Sequence, residues 1–147
     1  SKNRQSGETD KLINLKIKSA TKAGLKIILC IGETLQEKKN KKTNQVLARQ
    51  IKKCLKSVKN KSNIIIAYEP VWSIGTGQVP KFEDLSKSVL FIKDRFSKKS
   101  PKILYGGSVN GNNIDKLKDI NSLDGFLIGG ASQKSKKFID IIKKTFN

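Results

Sequence analysis

Apolar residues recur along this chain in two alternating rhythms. Unbroken apolar runs fall at Ile27–Ile31, at Ile64–Tyr68, at Ile103–Tyr105 and at residues 126–128. Each is followed by polar residues and then by apolar positions three and four apart. An unbroken run is the pattern of a strand buried on both faces of a parallel sheet, and the wider spacing is that of a helix with one buried stripe. The stripes are Ile13, Ile17 and Ala20; Leu47, Ile51, Cys54, Leu55 and Val58; Phe82, Leu85, Val89, Ile92 and Phe96; Ile114 and Leu117; and Phe138, Ile141, Ile142 and Phe146. Residues 1–8 are polar and read as loop. Thr9 or Asp10 is placed to cap the first helix and Gly24 to end it, and Thr43 is placed to cap the second. A helix followed by four strand–helix units argues for parallel strands with right-handed crossovers. Four such units make either a small open sheet or half a barrel, and periodicity does not choose between them.

One strand end carries chemistry. Residues 67–77 read A-Y-E-P-V-W-S-I-G-T-G, so a carboxylate, Glu69, closes an apolar strand, and Pro70 biases it away from helical geometry. The next loop contains Gly75 and Gly77, which take backbone angles other residues avoid, so it is a segment able to move. Gly106-Gly107-Ser108 and Gly129-Gly130 each follow a strand and precede a helical segment. Backbone N–H groups in such places can hold a phosphate dianion without a bulky cation. A lone Gly-Gly is usually a turn; two at successive strand ends read as a phosphate site.

Residues 67–77 closely resemble the active-site motif of the triosephosphate isomerase family, and the match continues through Gln78. C-I-G-E-T-L at residues 30–35, Y-G-G-S-V at 105–109 and D-G-F-L-I-G-G-A-S at 124–132 match in the same order, so the resemblance covers essentially the whole chain. It implies an α/β protein of the (β/α)8 TIM-barrel fold, of which this chain is the C-terminal half. The four parallel strands with their helices would be strands five to eight, in one partial-barrel domain over residues 1–147 with no internal boundary. A complete barrel takes about 250 residues. The chain has 147, begins at Ser1 and contains no methionine, so it reads as a fragment. Two unpaired sheet edges would then leave it poorly folded or self-associating in isolation.

The resemblance also implies roles. Glu69 is the base that moves a proton between adjacent carbons of a triose phosphate, interconverting glyceraldehyde 3-phosphate and dihydroxyacetone phosphate in glycolysis and gluconeogenesis. Pro70, Val71, Trp72, Ser73, Ile74, Gly75, Thr76 and Gly77 form the lid, with Glu33 and Tyr68 holding its first hinge. Gly75, Ser108, Gly129 and Gly130 bind the substrate and its phosphate. Leu127 packs over Glu69 and keeps it dry, which would raise its basicity. No cofactor and no metal are implied, since the family's proton transfer uses side chains, and a homodimer is implied for the full-length protein. The family's histidine electrophile and its substrate-gripping asparagine and lysine have no matching position, and the chain contains no histidine. Ser1-Lys2-Asn3-Arg4 resembles the tail of the family's histidine motif, with Lys2 where the family carries a glutamate; a charge reversal there would impair turnover. The competing reading is an inactive half-barrel that only binds phosphate compounds.

Charge adds one question. The chain carries 31 Lys and Arg against 12 Asp and Glu, a formal +19. Such an excess can mark nucleic-acid binding, but no aromatic interleaving or nucleic-acid motif accompanies it. Lys38-Lys39-Asn40-Lys41-Lys42 and the lysines at 134, 136 and 137 read as solvated turns and helix starts. No nucleic-acid partner is expected, although the positive field would attract a phosphorylated substrate. Cys30 and Cys54 lack metal-ligand spacing and read as buried thiols in a reducing compartment. With no signal peptide or long apolar span, the expected setting is the cytoplasm, with no membrane partner.

Overall fold

The computed structural model describes residues 7–96 and 100–146. Ser1-Lys2-Asn3-Arg4, and the reversed charge expected at Lys2, lie outside the described residues. In chain order the elements are α1 (Asp10–Lys22), β1 (Ile27–Ile31), α2 (Leu35–Lys39), α3 (Thr43–Cys54), β2 (Ile64–Tyr68), a 3-10 turn (Val71–Ser73), α4 (Phe82–Lys93), β3 (Ile103–Tyr105), α5 (Ile114–Lys118), β4 (Gly125–Phe126), a second 3-10 turn (Gly130–Gln133) and α6 (Ser135–Phe146). The strands form one sheet in the order β1-β2-β3-β4, every neighbour parallel. Four parallel strands alternating with helices are the arrangement of half an eight-stranded α/β barrel.

Alternation along the strands decides what is core. Leu29, Ile31, Ile64, Ile66, Tyr68, Ile103 and Tyr105 join Leu47, Ile51, Leu85, Val89 and Ile114 from the helices in one buried cluster. Each fully buried aliphatic side chain of this kind contributes about 1.5–3 kcal/mol. Residues of the other parity mostly lack this cover: Cys30, Ile65 and Leu104 are half-buried, and Ile28 is 47% exposed. The expectation that β1 is buried on both faces is therefore corrected. β1 is an edge strand, and the core lies on one face of the sheet only. Cys30, on the other face, is half-buried rather than buried; Cys54 is buried, with its Sγ 3.7 Å from Asp10 Oδ1.

Thr9 caps α1 as expected, its hydroxyl accepting from the N–H of Leu12 at 3.2 Å, and Gly24 follows the helix with φ +73°. Thr43 instead begins α3; the cap position is Lys42, without a side-chain hydrogen bond. The reason is α2, a short helix inside the lysine-rich stretch, which ends in a turn through Lys41 at φ +57°. Its start is a reciprocal box: Thr34 Oγ1 accepts from the N–H of Glu37 at 3.2 Å, and Glu37 Oε2 accepts from the N–H of Thr34 at 2.9 Å.

The last unit departs most from expectation. β4 covers Gly125–Phe126 rather than 126–128, although the N–H of Leu127 still donates to the carbonyl of Tyr105 at 2.9 Å. With so little strand beneath it, α6 packs on α5 and the second 3-10 turn and buries only Ile141, leaving Ile142 and Phe146 exposed. Phe82, the first residue of α4, is also exposed, while Leu85, Val89 and Ile92 carry the buried stripe. Among the described residues no helix is long and apolar enough to cross a membrane.

Candidate active site

Parallel strands bring all their C-terminal ends to one rim, so the segments leaving the strands meet there. After β1 come Gly32 and Glu33, after β2 Glu69, after β3 Gly106-Gly107-Ser108, and after β4 Leu127 to Gly130. Glu69 is fixed by its backbone: its N–H donates to the carbonyl of Ile31 at 2.7 Å, and the next rung runs from the N–H of Gly106 to the carbonyl of Tyr68 at 2.9 Å. Its half-buried side chain lies over Gly106, where a Cβ would stand 2.7 Å from Glu69 Cγ and 2.9 Å from Oε1.

The same rim holds a second carboxylate, which is buried. Glu33, 1% exposed, accepts from the Tyr68 hydroxyl at 3.1 and 3.3 Å and from Trp72 Nε1 at 3.0 Å. Its backbone carbonyl accepts from the N–H of Val71 at 2.9 Å. One residue thus ties the strand end, the first turn of the loop and the indole together. Burial, and then the Glu33 charge, push the Tyr68 hydroxyl well above its ordinary range, so it stays a donor.

The loop of residues 70–77 is anchored at its middle by Ser73, which is fully buried. The Ser73 hydroxyl donates to the carbonyl of Gln78 at 2.6 Å, stands 2.9 Å from the Tyr105 hydroxyl, and accepts from the N–H of Ser108 at 3.3 Å. The Tyr105 hydroxyl is pushed up to about 12, by burial first and by the Glu33 charge, against the opposing effect of its hydrogen bond with Ser73. Pro70 is buried; Val71, Trp72 and Ile74 are half-buried; Gly75, Thr76 and Gly77 are exposed. Thr76 Oγ1 donates to the carbonyl of Trp72 at 3.0 Å, and Gly75 and Gly77 have φ of +70° and +79°.

Contacts therefore join Glu69, Glu33, Tyr68, Trp72, Ser73 and Ser108 into one constellation with Gly106. Ser108 is half-buried, its carbonyl accepting from Asn113 Nδ2 at 2.9 Å. Leu127 is half-buried just past β4. Gly129 and Gly130 share the rim but are exposed, and a Cβ at either would meet nothing within 4 Å. A carboxylate at a strand end, beside a loop and a run of backbone N–H groups, is chemically able to exchange a proton with a bound anion.

Three contributors do not stand out as site residues in the sequence. Gln50 on α3 is buried and brackets Gly32, accepting from its N–H at 2.9 Å and donating to its carbonyl at 3.1 Å. Its one signal is a polar residue directly beside Ile51 in an apolar stripe. Tyr105 carries the polar tip of an otherwise apolar strand. Lys38 Nζ stands 3.8 Å from the centroid of the Trp72 ring, and nothing in its lysine-rich surroundings distinguishes it.

Comparison with known proteins bears on what this constellation is. A family model described as triosephosphate isomerase matches residues 1–145. The chain is similar to the triosephosphate isomerase of Candida albicans, 48% identical over 143 residues that cover 92% of this chain and 57% of that protein. It is 47% identical over 142 residues to that of Saccharomyces cerevisiae, with the same two coverages. The bacterial protein of the same name from Thermodesulfovibrio yellowstonii is 42% identical over 142 residues, covering 92% and 58%. The chain thus spans just over half the length of these relatives and aligns with their C-terminal half.

Proposed function

The chain belongs to the triosephosphate isomerase family, and from that premise we propose that its rim forms the base, lid and phosphate side of an aldose–ketose isomerase site. The substrate is a triose phosphate, and the reaction interconverts glyceraldehyde 3-phosphate and dihydroxyacetone phosphate. The observation that carries this reading is the placement of Glu69, held through backbone hydrogen bonds at the end of β2 with its carboxylate over Gly106.

A C–H next to a carbonyl needs a base at the carbon and an electrophile at the oxygen. Glu69 takes the proton from one carbon and an enediolate forms; a proton passes from its hydroxyl oxygen to the former carbonyl oxygen, and the same carboxyl returns the carbon-bound proton to the neighbouring carbon. The division between a glutamate base and a neutral histidine is the one long described for this family. These 147 residues contain no histidine, so an imidazole partner would come from outside them. The N–H groups at Gly75, Ser108, Gly129 and Gly130 hold the phosphate, that of Ser108 exchanging its 3.3 Å contact with Ser73 Oγ for a phosphate oxygen. Residues 70–77 close over the enediolate and keep water from it, with Glu33 and Tyr68 steadying the hinge and Leu127 limiting water beside Glu69.

The test is Glu69→Gln in the full-length protein. Turnover is expected to fall by about a hundredfold to ten-thousandfold, with phosphoglycolate still bound. Near-normal turnover would remove Glu69 as the base. If the unsubstituted protein binds phosphoglycolate but does not isomerise, the phosphate-binding reading replaces this one.

A further inference from the structure

Lys38 belongs to a lysine-rich run that the sequence assigns to solvent, and four of its five members follow that rule. Lys39, Asn40, Lys41 and Lys42 are exposed, whereas Lys38 is half-buried with its ammonium over the Trp72 ring. We propose that Lys38 is a positioning residue for the lid hinge, holding the face of the Trp72 indole while Glu33 holds its N–H. The proposal rests on the reading of residues 70–77 as a lid.

The chain builds both grips from one turn. Glu33 ends the segment leaving β1, and Thr34 caps α2 immediately after it. The Thr34–Glu37 box fixes the direction of α2, and Arg49 of α3 stands 3.7 Å from Glu37 and steadies it further. Lys38 lies one residue beyond Glu37 and reaches the ring, while Glu33, one residue before the cap, takes the indole N–H at 3.0 Å. The indole is therefore held at edge and face by opposite charges from either side of a single cap. The two grips differ in kind. Glu33 is buried and accepts from Tyr68 as well, so releasing it would leave a buried carboxylate short of a donor. Lys38 is an ammonium on a flexible stem and can let go at little cost. A cation–π contact at a partly exposed site corresponds to about a two- to fivefold bias in an equilibrium. That suits trimming the orientation of a hinge without locking it.

Trp72 is the sole tryptophan of these 147 residues, and the emission lost in Trp72→Leu isolates the signal of this indole. In the full-length protein, Lys38→Gln is expected to raise acrylamide quenching of the emission that Trp72→Leu removes and to shift that emission, with far-UV circular dichroism unchanged, while Lys38→Arg keeps the parent signals. Unchanged quenching and emission in Lys38→Gln would overturn the contact, whatever the fate of the isomerase reading. In the full-length protein, loss of the grip lowers the fraction of molecules with the hinge in place. KM for the triose phosphate is then expected to rise about two- to fivefold with kcat unchanged, and Lys38→Arg restores it. The same Lys38→Gln change made on Trp72→Leu is expected to add nothing. An equal KM rise in that background would mean Lys38 acts on the anion by its charge, and a fall in kcat alone would place it elsewhere; either result overturns the proposal. Loss of activity in Glu69→Gln is independent of all these outcomes.

Discussion

Two glycine pairs follow successive strands of this sheet, and the sequence presents them as equivalents. The structure separates them. At Gly106 and Gly107 there is no room: a Cβ on Gly106 would press on the Glu69 side chain, and one on Gly107 would collide with the hydroxyls of Tyr105 and Ser73. At Gly129 and Gly130 the corresponding space is open. The first pair is glycine because neighbouring parts of the protein already occupy the position, and the second has no such neighbour. The β2–β3 half of the rim is built by its own contacts, and the β4 half is left accessible for something else.

The sharpest way to break this contrast is Gly106→Ala. The added methyl group stands 2.7 Å from Glu69 Cγ, which belongs to a movable side chain, so the carboxylate shifts rather than the backbone. Stability should fall by about 1–3 kcal/mol, as for other overpacked sites, and if Glu69 is the base, turnover of the full-length protein should fall by about a hundredfold, as expected for a reacting group displaced by about 1 Å. Retained turnover, assayed with glyceraldehyde 3-phosphate, would show that the close approach of Gly106 has no catalytic purpose.

A smaller effect tests the packed half alone. The chain has two tyrosines, Tyr68 and Tyr105, and both are buried in the hydrogen-bond network that holds the loop of residues 70–77. Both hydroxyls are pushed above their ordinary value of 10.0, Tyr105 to about 12 and Tyr68 also upward. A raised tyrosine binds its proton more tightly in the folded protein. Its contribution to stability is therefore complete below pH 10 and is lost as pH rises towards and through the folded value. Absorbance at 295 nm should show little tyrosinate until well above pH 10, then a steep rise together with loss of circular dichroism. A smooth titration centred near pH 10 with the fold intact would mean the network is open to water.

The range of each interaction decides how much of this is legible in the sequence. The strand–helix order, the α1 cap at Thr9 and the stripe of α3 are legible because they depend on spacing within one turn or one run. Glu69 and the loop after it are legible from their motif and from Pro70. Ile28 misleads because burial on a second face depends on what covers the sheet, which an apolar run does not state. α6 misleads for a related reason: Ile142 and Phe146 fit a helical stripe, yet the two-residue β4 offers that stripe little to pack on. Lys38 and Gln50 stay hidden because their partners, Trp72 and Gly32, lie 34 and 18 positions away. The T-x-x-E box at Thr34 is in plain view, but the lysines after it suggest a loop.

The smallest expected effect is the one that separates space kept for a ligand from space that is merely empty. Gly130 opens the second 3-10 turn, its φ is not among the positive ones, and a Cβ there touches nothing within 4 Å. Gly130→Ala should accordingly change the unfolding free energy by no more than about 0.5 kcal/mol. If the N–H at this position holds phosphate, the methyl group occupies space beside the bound oxygens. Affinity for phosphoglycolate, measured by calorimetry on the full-length protein, should then fall about tenfold, a loss of about 1.4 kcal/mol. A variant unchanged in both stability and affinity would make Gly129-Gly130 an ordinary turn. The phosphate cradle would then rest on Gly75 and Ser108, on the side of the rim that is already built.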